Sequence, residues 1–113
     1  MKIFDKSNIK IIGKDRKNII ARWARRIILS PEYRNFKSFL IFNYPEICLK
    51  SPYAIDIKIA CYHDIDAVIG CIFDSLQEAK IIDNDRNILR LHIEKEVIKK
   101  GKLGKLIIDI DEI

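Results

Sequence analysis

Glycine and proline are scarce in this chain, with 4 Gly and 3 Pro among 113 residues. Collagen-like and Pro/Gly-rich low-complexity architectures are therefore excluded. No glycine-rich phosphate loop and no internal repeat occurs. Cys48, Cys61 and Cys71 are an odd set without CxxC spacing, which argues against a disulfide framework or a cysteine zinc site. They read as reduced, mostly buried thiols of a cytoplasmic protein. His63 and His92 are the only histidines, too few for a histidine metal centre; His92 reads as a surface strand residue. No apolar run approaches the roughly 18 residues of a membrane span, and the N-terminus lacks a signal-peptide pattern. A cytoplasmic chain with no membrane partner is expected.

What is present is 49% hydrophobic and 33% charged residues, the composition of a folded globular domain rather than a disordered tract. One domain over residues 1–113 is expected at this length. The net charge of +5 conceals an asymmetry. Residues 1–50 carry 12 Lys or Arg against 4 Asp or Glu, and the remainder carries 9 against 12. A basic half beside an acidic half fits a polyanion-binding surface that flanks carboxylates. It fits ordinary solvated faces equally well.

The hydrophobic pattern divides the chain into short elements. Ile9 to Ile12 reads as a strand ended by Gly13, followed by a charged turn, Lys14–Asn18. Arg22-Trp23-Ala24-Arg25-Arg26 sets an aromatic among three arginines, a pattern suited to phosphate contacts and base stacking, or to a core Trp in a basic loop. A short strand covers Arg26–Leu29. Ser30-Pro31-Glu32 then starts a helix, with a capping hydroxyl, proline at the first position and an early carboxylate. Tyr33, Phe36, Phe39 and Leu40 carry it to about Phe42. Tyr53 to Tyr62 alternates cleanly, with Ile55, Ile57, Ile59 and Cys61 on the inner face. Ile88 to Val97 alternates again, with Leu89, Leu91, Ile93 and Val97 expected inward. Lys99–Gly104 reads as a hairpin turn, and Lys105 to Ile110 as its return strand. Lys100 and Lys102 in that turn suit phosphate contact or simple solubility. The whole predicts an α+β domain, a mixed sheet of about five strands with two main helices.

The segment His63 to Asp85 organises the rest. Ile65, Ile69, Ile72, Phe73 and Leu76 recur at helical spacing. Asp64 stands at the N-cap and Asp66 in the first turn, where carboxylates complement the helix dipole. Asp83 and Asp85 flank Asn84 in a turn beyond the helix. Should the next strand fold back alongside the helix, Asp64, Asp66 and Asp85 could form an oxygen-rich site for a hard cation. Capping and turn formation account for the same residues without a metal.

The order Asp64-x-Asp66, helix, Phe73-Asp74-x-Leu76, then Asp85 resembles the active-site segment of the RusA family of Holliday-junction resolvases. Asn18 through Arg34 resembles the substrate-binding part of that family more loosely, and the likeness extends from Ile9 to Ile110. The resemblance implies a RusA-like fold and magnesium-dependent nicking of four-way DNA junctions in recombination and repair. It implies Mg2+, with Mn2+ as a substitute, held by Asp64, Asp66 and Asp85 as catalytic ligands. Asn18, Arg22, Trp23, Arg25, Arg26, His63, Lys100 and Lys102 are the expected DNA contacts. A homodimer is expected, because paired nicks in a two-fold junction match C2 symmetry.

Two positions depart from the family pattern. Ala67 stands where an Asn usually follows the second aspartate, and Gly70 where a Lys lies one helical turn on. A missing amide and a missing ammonium motivate an alternative, a junction-binding protein of the same fold impaired in catalysis. A third reading is a structural domain whose aspartates only cap.

Overall fold

Tyr53–Cys61 forms the strand on which the fold is assembled, and its burial alternates as the sequence predicts. The computed structural model describes residues 1–13, 19–23 and 26–113. Its elements are β1 (Lys2–Ile9), β2 (Ile19–Trp23), β3 (Arg26–Leu29), α1 (Pro31–Asn43), β4 (Tyr53–Cys61), α2 (Ile65–Glu78), β5 (Ile88–Val97) and β6 (Gly104–Glu112). A short 3-10 turn, Asp85–Asn87, leads into β5. The fold is α+β: a four-stranded mixed sheet in the order β1-β6-β4-β5, two helices and a separate β2-β3 ribbon.

β4 is paired on both edges, parallel to β5 and antiparallel to β6. Opposite β6, Ile55 meets Ile110, Ile57 meets Ile108 and Ile59 meets Leu106, and all six are buried. Such β-branched pairs suit a pleated surface covered on one side. Burying each contributes about 1.5–3 kcal/mol. The other face of β4 carries the exposed Asp56 and Lys58, so the sheet is covered on one side only.

α2 lies on the covered side because Val68, Ile69, Cys71, Ile72, Ser75 and Leu76 form its buried face. It ends in a Schellman motif: Ile81 N–H donates to the Leu76 carbonyl and Lys80 N–H to the Gln77 carbonyl, both at 3.0 Å. Lys80 takes the left-handed φ of 61° that this cap requires. Leu76 and Ile81, fully buried, supply the apolar contact that accompanies it. α1 starts as predicted, with the Ser30 hydroxyl accepting from Tyr33 N–H at 3.2 Å. It is tied to α2 by a Tyr44–Ser75 hydroxyl pair at 2.7 Å and a Lys37–Glu78 ion pair at 2.8 Å.

Three expectations need correction. The first strand is Lys2–Ile9, not Ile9–Ile12, because residues 2–9 find a partner in β6. Leu89, Leu91 and Val97 are not inward but 66%, 46% and 73% exposed. β5 is an edge strand, and of its apolar residues Ile88 and Ile93 pack partly against the core while these three do not. Lys99–Gly104 does turn, with Lys102 N–H donating to the Lys99 carbonyl at 3.1 Å and Gly101 at φ 85°. It is not a hairpin, however: β6 pairs with β4 and β1, so the connection crosses the C-terminal end of β4. Alternation shows that a strand exists but not which neighbour it chooses.

That crossing brings Gly104 against β4. A Cβ there would overlap the Ala60 carbonyl oxygen and lie 2.9 Å from Ile11 Cδ1. Gly104→Ala should destabilise the fold by about 2 kcal/mol or more, whereas Gly70→Ala, with nothing within 4 Å of the new Cβ, should stabilise it by roughly 0.5–1 kcal/mol. Paired denaturant melts check both signs.

Candidate functional site

The chain leaves β4 at Cys61, turns through Tyr62 and His63, and enters α2 at Asp64. The turn is held by its backbone: the His63 carbonyl accepts from Lys95 Nζ and, at 3.5 Å, from Cys61 Sγ. Ile98 N–H donates to the Cys61 carbonyl at 3.3 Å, extending the β4-β5 ladder past Val97. Asp64 is the N-cap by backbone conformation, yet its carboxylate makes no capping hydrogen bond. Asp66 Oδ1 accepts from Ala67 N–H at 3.0 Å. Both aspartates are exposed. Two carboxylates thus stand in the first turn of a helix whose entry is anchored to two strands, the rigid placement that a site requires.

Beside them the β5-β6 connection arches over the end of β4 and closes a cleft of about 590 Å³. Lys10, Glu32, His63, Lys100 and Lys102 line it, above Ala60 and Cys61. Three residues expected from the sequence to contact DNA, His63, Lys100 and Lys102, therefore share one concave surface. Three lysines against one glutamate make it suited to anions. Asn18 and Arg25 lie outside the described residues. Arg22, Trp23 and Arg26 are placed by backbone alone, in the β2-β3 ribbon, where Trp23 pairs with Arg26.

Asp85 is elsewhere. It precedes β5, and the parallel register sets Ile88 beside Tyr53 and Val97 beside Cys61. Asp64 follows the end of β4 and Asp85 lies before its beginning, so nine residues of strand, roughly 26 Å, separate the two levels. The next strand does run alongside the helix, but the carboxylate sits at that strand's start and not at its end. A single chain does not gather the three aspartates expected as a metal site. Among the described residues no group of three His, Cys, Asp or Glu is placed to hold an ion.

The turn around Asp85 has a structural role of its own. Asp83 Oδ1 accepts from Asn84 N–H at 2.6 Å and from Asn87 Nδ2 at 3.0 Å. The Tyr53 hydroxyl lies 3.2 Å from that oxygen, accepts from Asp83 N–H at 3.2 Å, and lies 3.1 Å from the Leu49 carbonyl. The Asn84 side chain caps the 3-10 turn through Arg86 N–H at 3.0 Å. The turn reading of Asp83-Asn84-Asp85 is the one the geometry carries.

Sequence reasoning missed Lys10, Glu32 and Lys95. Lys95 had a signal, a charged residue at an inward position of an alternating strand. Lys10 and Glu32 had none, since only the sheet order brings them to this end. Asp74, within the resemblance segment, lies 3.5 Å from the Tyr33 hydroxyl and helps join the helices. Gly70 follows Asp66 by one helical turn and has open space beside it, so a lysine would fit there without displacing the chain.

No family model and no curated protein matches this chain. The resemblance to the junction resolvases therefore rests on the residues already named.

Hydrogen bonds from Asn87, then from Asn84 and Tyr53, hold the exposed Asp83 carboxyl below its usual range. A lowered native value means stability that is complete above the unfolded carboxyl's value of about 4 and lost as pH falls through the native one. Asp83→Asn should flatten the acid side of the stability curve below about pH 5. Urea midpoints measured across that range check it.

Proposed function

We propose that the protein is a magnesium-dependent nuclease acting on branched DNA, with Holliday junctions as substrate. The observation that supports this reading best is a coincidence of place. The Asp64-x-Asp66 pair and the lysine-lined cleft occupy the same end of β4. Backbone phosphates need cations along their path, and the hydrolytic centre needs oxygen ligands beside them.

Asp64 and Asp66 would hold the ion. Magnesium is commonly bound by one or two carboxylates together with substrate phosphate oxygens, so two aspartates suffice for its chemical preference. The bound ion would supply Lewis-acid polarisation of the phosphate and a water of lowered pKa. Lys10, Lys100 and Lys102 would draw the phosphates into the cleft and fix their register. The Lys95 ammonium, bonded to the His63 carbonyl, would hold the turn that presents Asp64. Asp85 can reach this end only from a second chain, which agrees with a homodimer acting on a two-fold junction.

A second reading, a junction-binding protein that does not cleave, is favoured by the separation of Asp85 from Asp64 and by Gly70 in place of a lysine. Incubating a synthetic four-way junction with and without Mg2+ separates the two. The nuclease reading expects symmetric nicks that require the ion. Asp64→Asn and Asp66→Asn should each abolish nicking while leaving binding intact or tighter, because a carboxylate facing phosphate is removed. Binding without nicking transfers the conclusion to the second reading, and no preference for a junction over a duplex contradicts both.

Salt dependence tests the cleft separately. Lys100→Ala combined with Lys102→Ala should weaken binding and reduce the slope of log K against log salt by about 2, roughly one per lost phosphate contact. An unchanged slope, read by fluorescence anisotropy, places the DNA on another surface.

A further inference from the structure

The two edges of the sheet differ in a way that neither the fold nor the proposed chemistry explains. β1, at one edge, is broken by two irregularities in its pairing with β6, a common way of blunting an edge against other chains. β5, at the other, has a single irregularity, at Leu89, and runs in unbroken register from Arg90 to Val97 against β4. It is ten residues long, and among the described residues it pairs with β4 alone. Leu89, Leu91 and Val97 are exposed along it. Long, regular, apolar edges are avoided in chains that remain alone.

The charges on β5 indicate what covers it. On the face away from the helices the strand reads Arg90, His92, Glu94, Glu96: basic in its first half, acidic in its second. No ion pair among the described residues engages Arg90 or Glu96. His92 and Glu94 meet within the strand at 3.2 Å. A parallel copy of this strand would set like charges opposite one another. An antiparallel copy, turned about a two-fold axis at Ile93, sets Arg90 opposite the partner's Glu96 and His92 opposite the partner's Glu94. On the other face the same register sets Leu89 opposite the partner's Val97, Ile93 opposite the partner's Ile93, and Leu91 opposite the partner's Lys95, whose aliphatic stem can lie along it. The charged face is satisfied by this register, the property of a self-complementary surface. It also continues the pattern inside the chain, where Lys58 already faces Glu94 across β4 and β5.

We infer that β5 is the dimerisation strand: two copies of this chain join edge to edge, antiparallel about Ile93, into one continuous eight-stranded sheet. The interface is independent of the nuclease reading and requires neither DNA nor metal. It deepens that reading by naming the face through which two copies would present their clefts to a junction.

Sedimentation equilibrium on the full chain tests it. The wild type should dimerise. Arg90→Glu and Glu96→Arg should each weaken association about tenfold, since two symmetric pairs become repulsive. The two changes together should restore it. Both positions are exposed, and circular dichroism of each variant separates lost association from lost folding. Register is read by oxidation: in a Cys48→Ser background, Ile93→Cys should cross-link to itself, opposed Cα atoms being about 4.5–5.5 Å apart, and Leu91→Cys should not. A chain that stays monomeric at NMR concentrations, reversals that leave association unchanged, or cross-linking at position 91 and not at 93 would each overturn the inference. Dimerisation as described without junction nicking would leave the interface standing and remove only the nuclease reading.

Discussion

β4 is hydrogen-bonded along both edges and sealed on one face by buried isoleucines, so it cannot shift by a single residue without exposing Ile55, Ile57 and Ile59. The rest of the molecule follows from that fixed register. β5 takes one side in parallel, which requires a crossover, and α2 is that crossover. β6 takes the other side, so the chain between β5 and β6 has to pass over the end of β4. The cleft and the exposed carboxylates of α2's first turn meet there because topology sends both to the same end. The ends of parallel strands where the chain changes direction are common places for ligand sites in sheets of this kind.

The same constraint separates Asp85 from Asp64. A parallel β-α-β unit carries whatever precedes its second strand to the level of the first strand's start. The spacing of the aspartates along the chain resembles a catalytic set, but spacing does not reveal which end of a sheet a residue occupies. Asp83 and Asn84 lock the turn through Tyr53 and Asn87, at the far end.

Much of the local structure is legible in the residues. Ser30-Pro31 announces α1, the alternation from Tyr53 announces β4, and the spacing of Ile65 through Leu76 announces α2, each because a local rule leaves few alternatives. Strand neighbours are not legible in this way. Leu89, Leu91 and Val97 have the alternation of inward residues, and only β5's place at the edge leaves them exposed. Lys99–Gly104 has the composition of a hairpin turn, and only the preference of β6 for the buried flank of β4 makes it a crossing. For the site, His63 is legible from its place beside the carboxylates, and Lys100 and Lys102 from a turn rich in lysine. Lys10 and Glu32 join them through tertiary structure alone.

We propose that the C-terminal end of β4, with its cleft and its aspartate pair, is where DNA is held. Backbone amide shifts followed during titration with a four-way junction test that most directly. The largest changes should fall on Tyr62–Asp66 and Lys99–Leu103. Saturable binding that leaves those amides unmoved while others shift would contradict it.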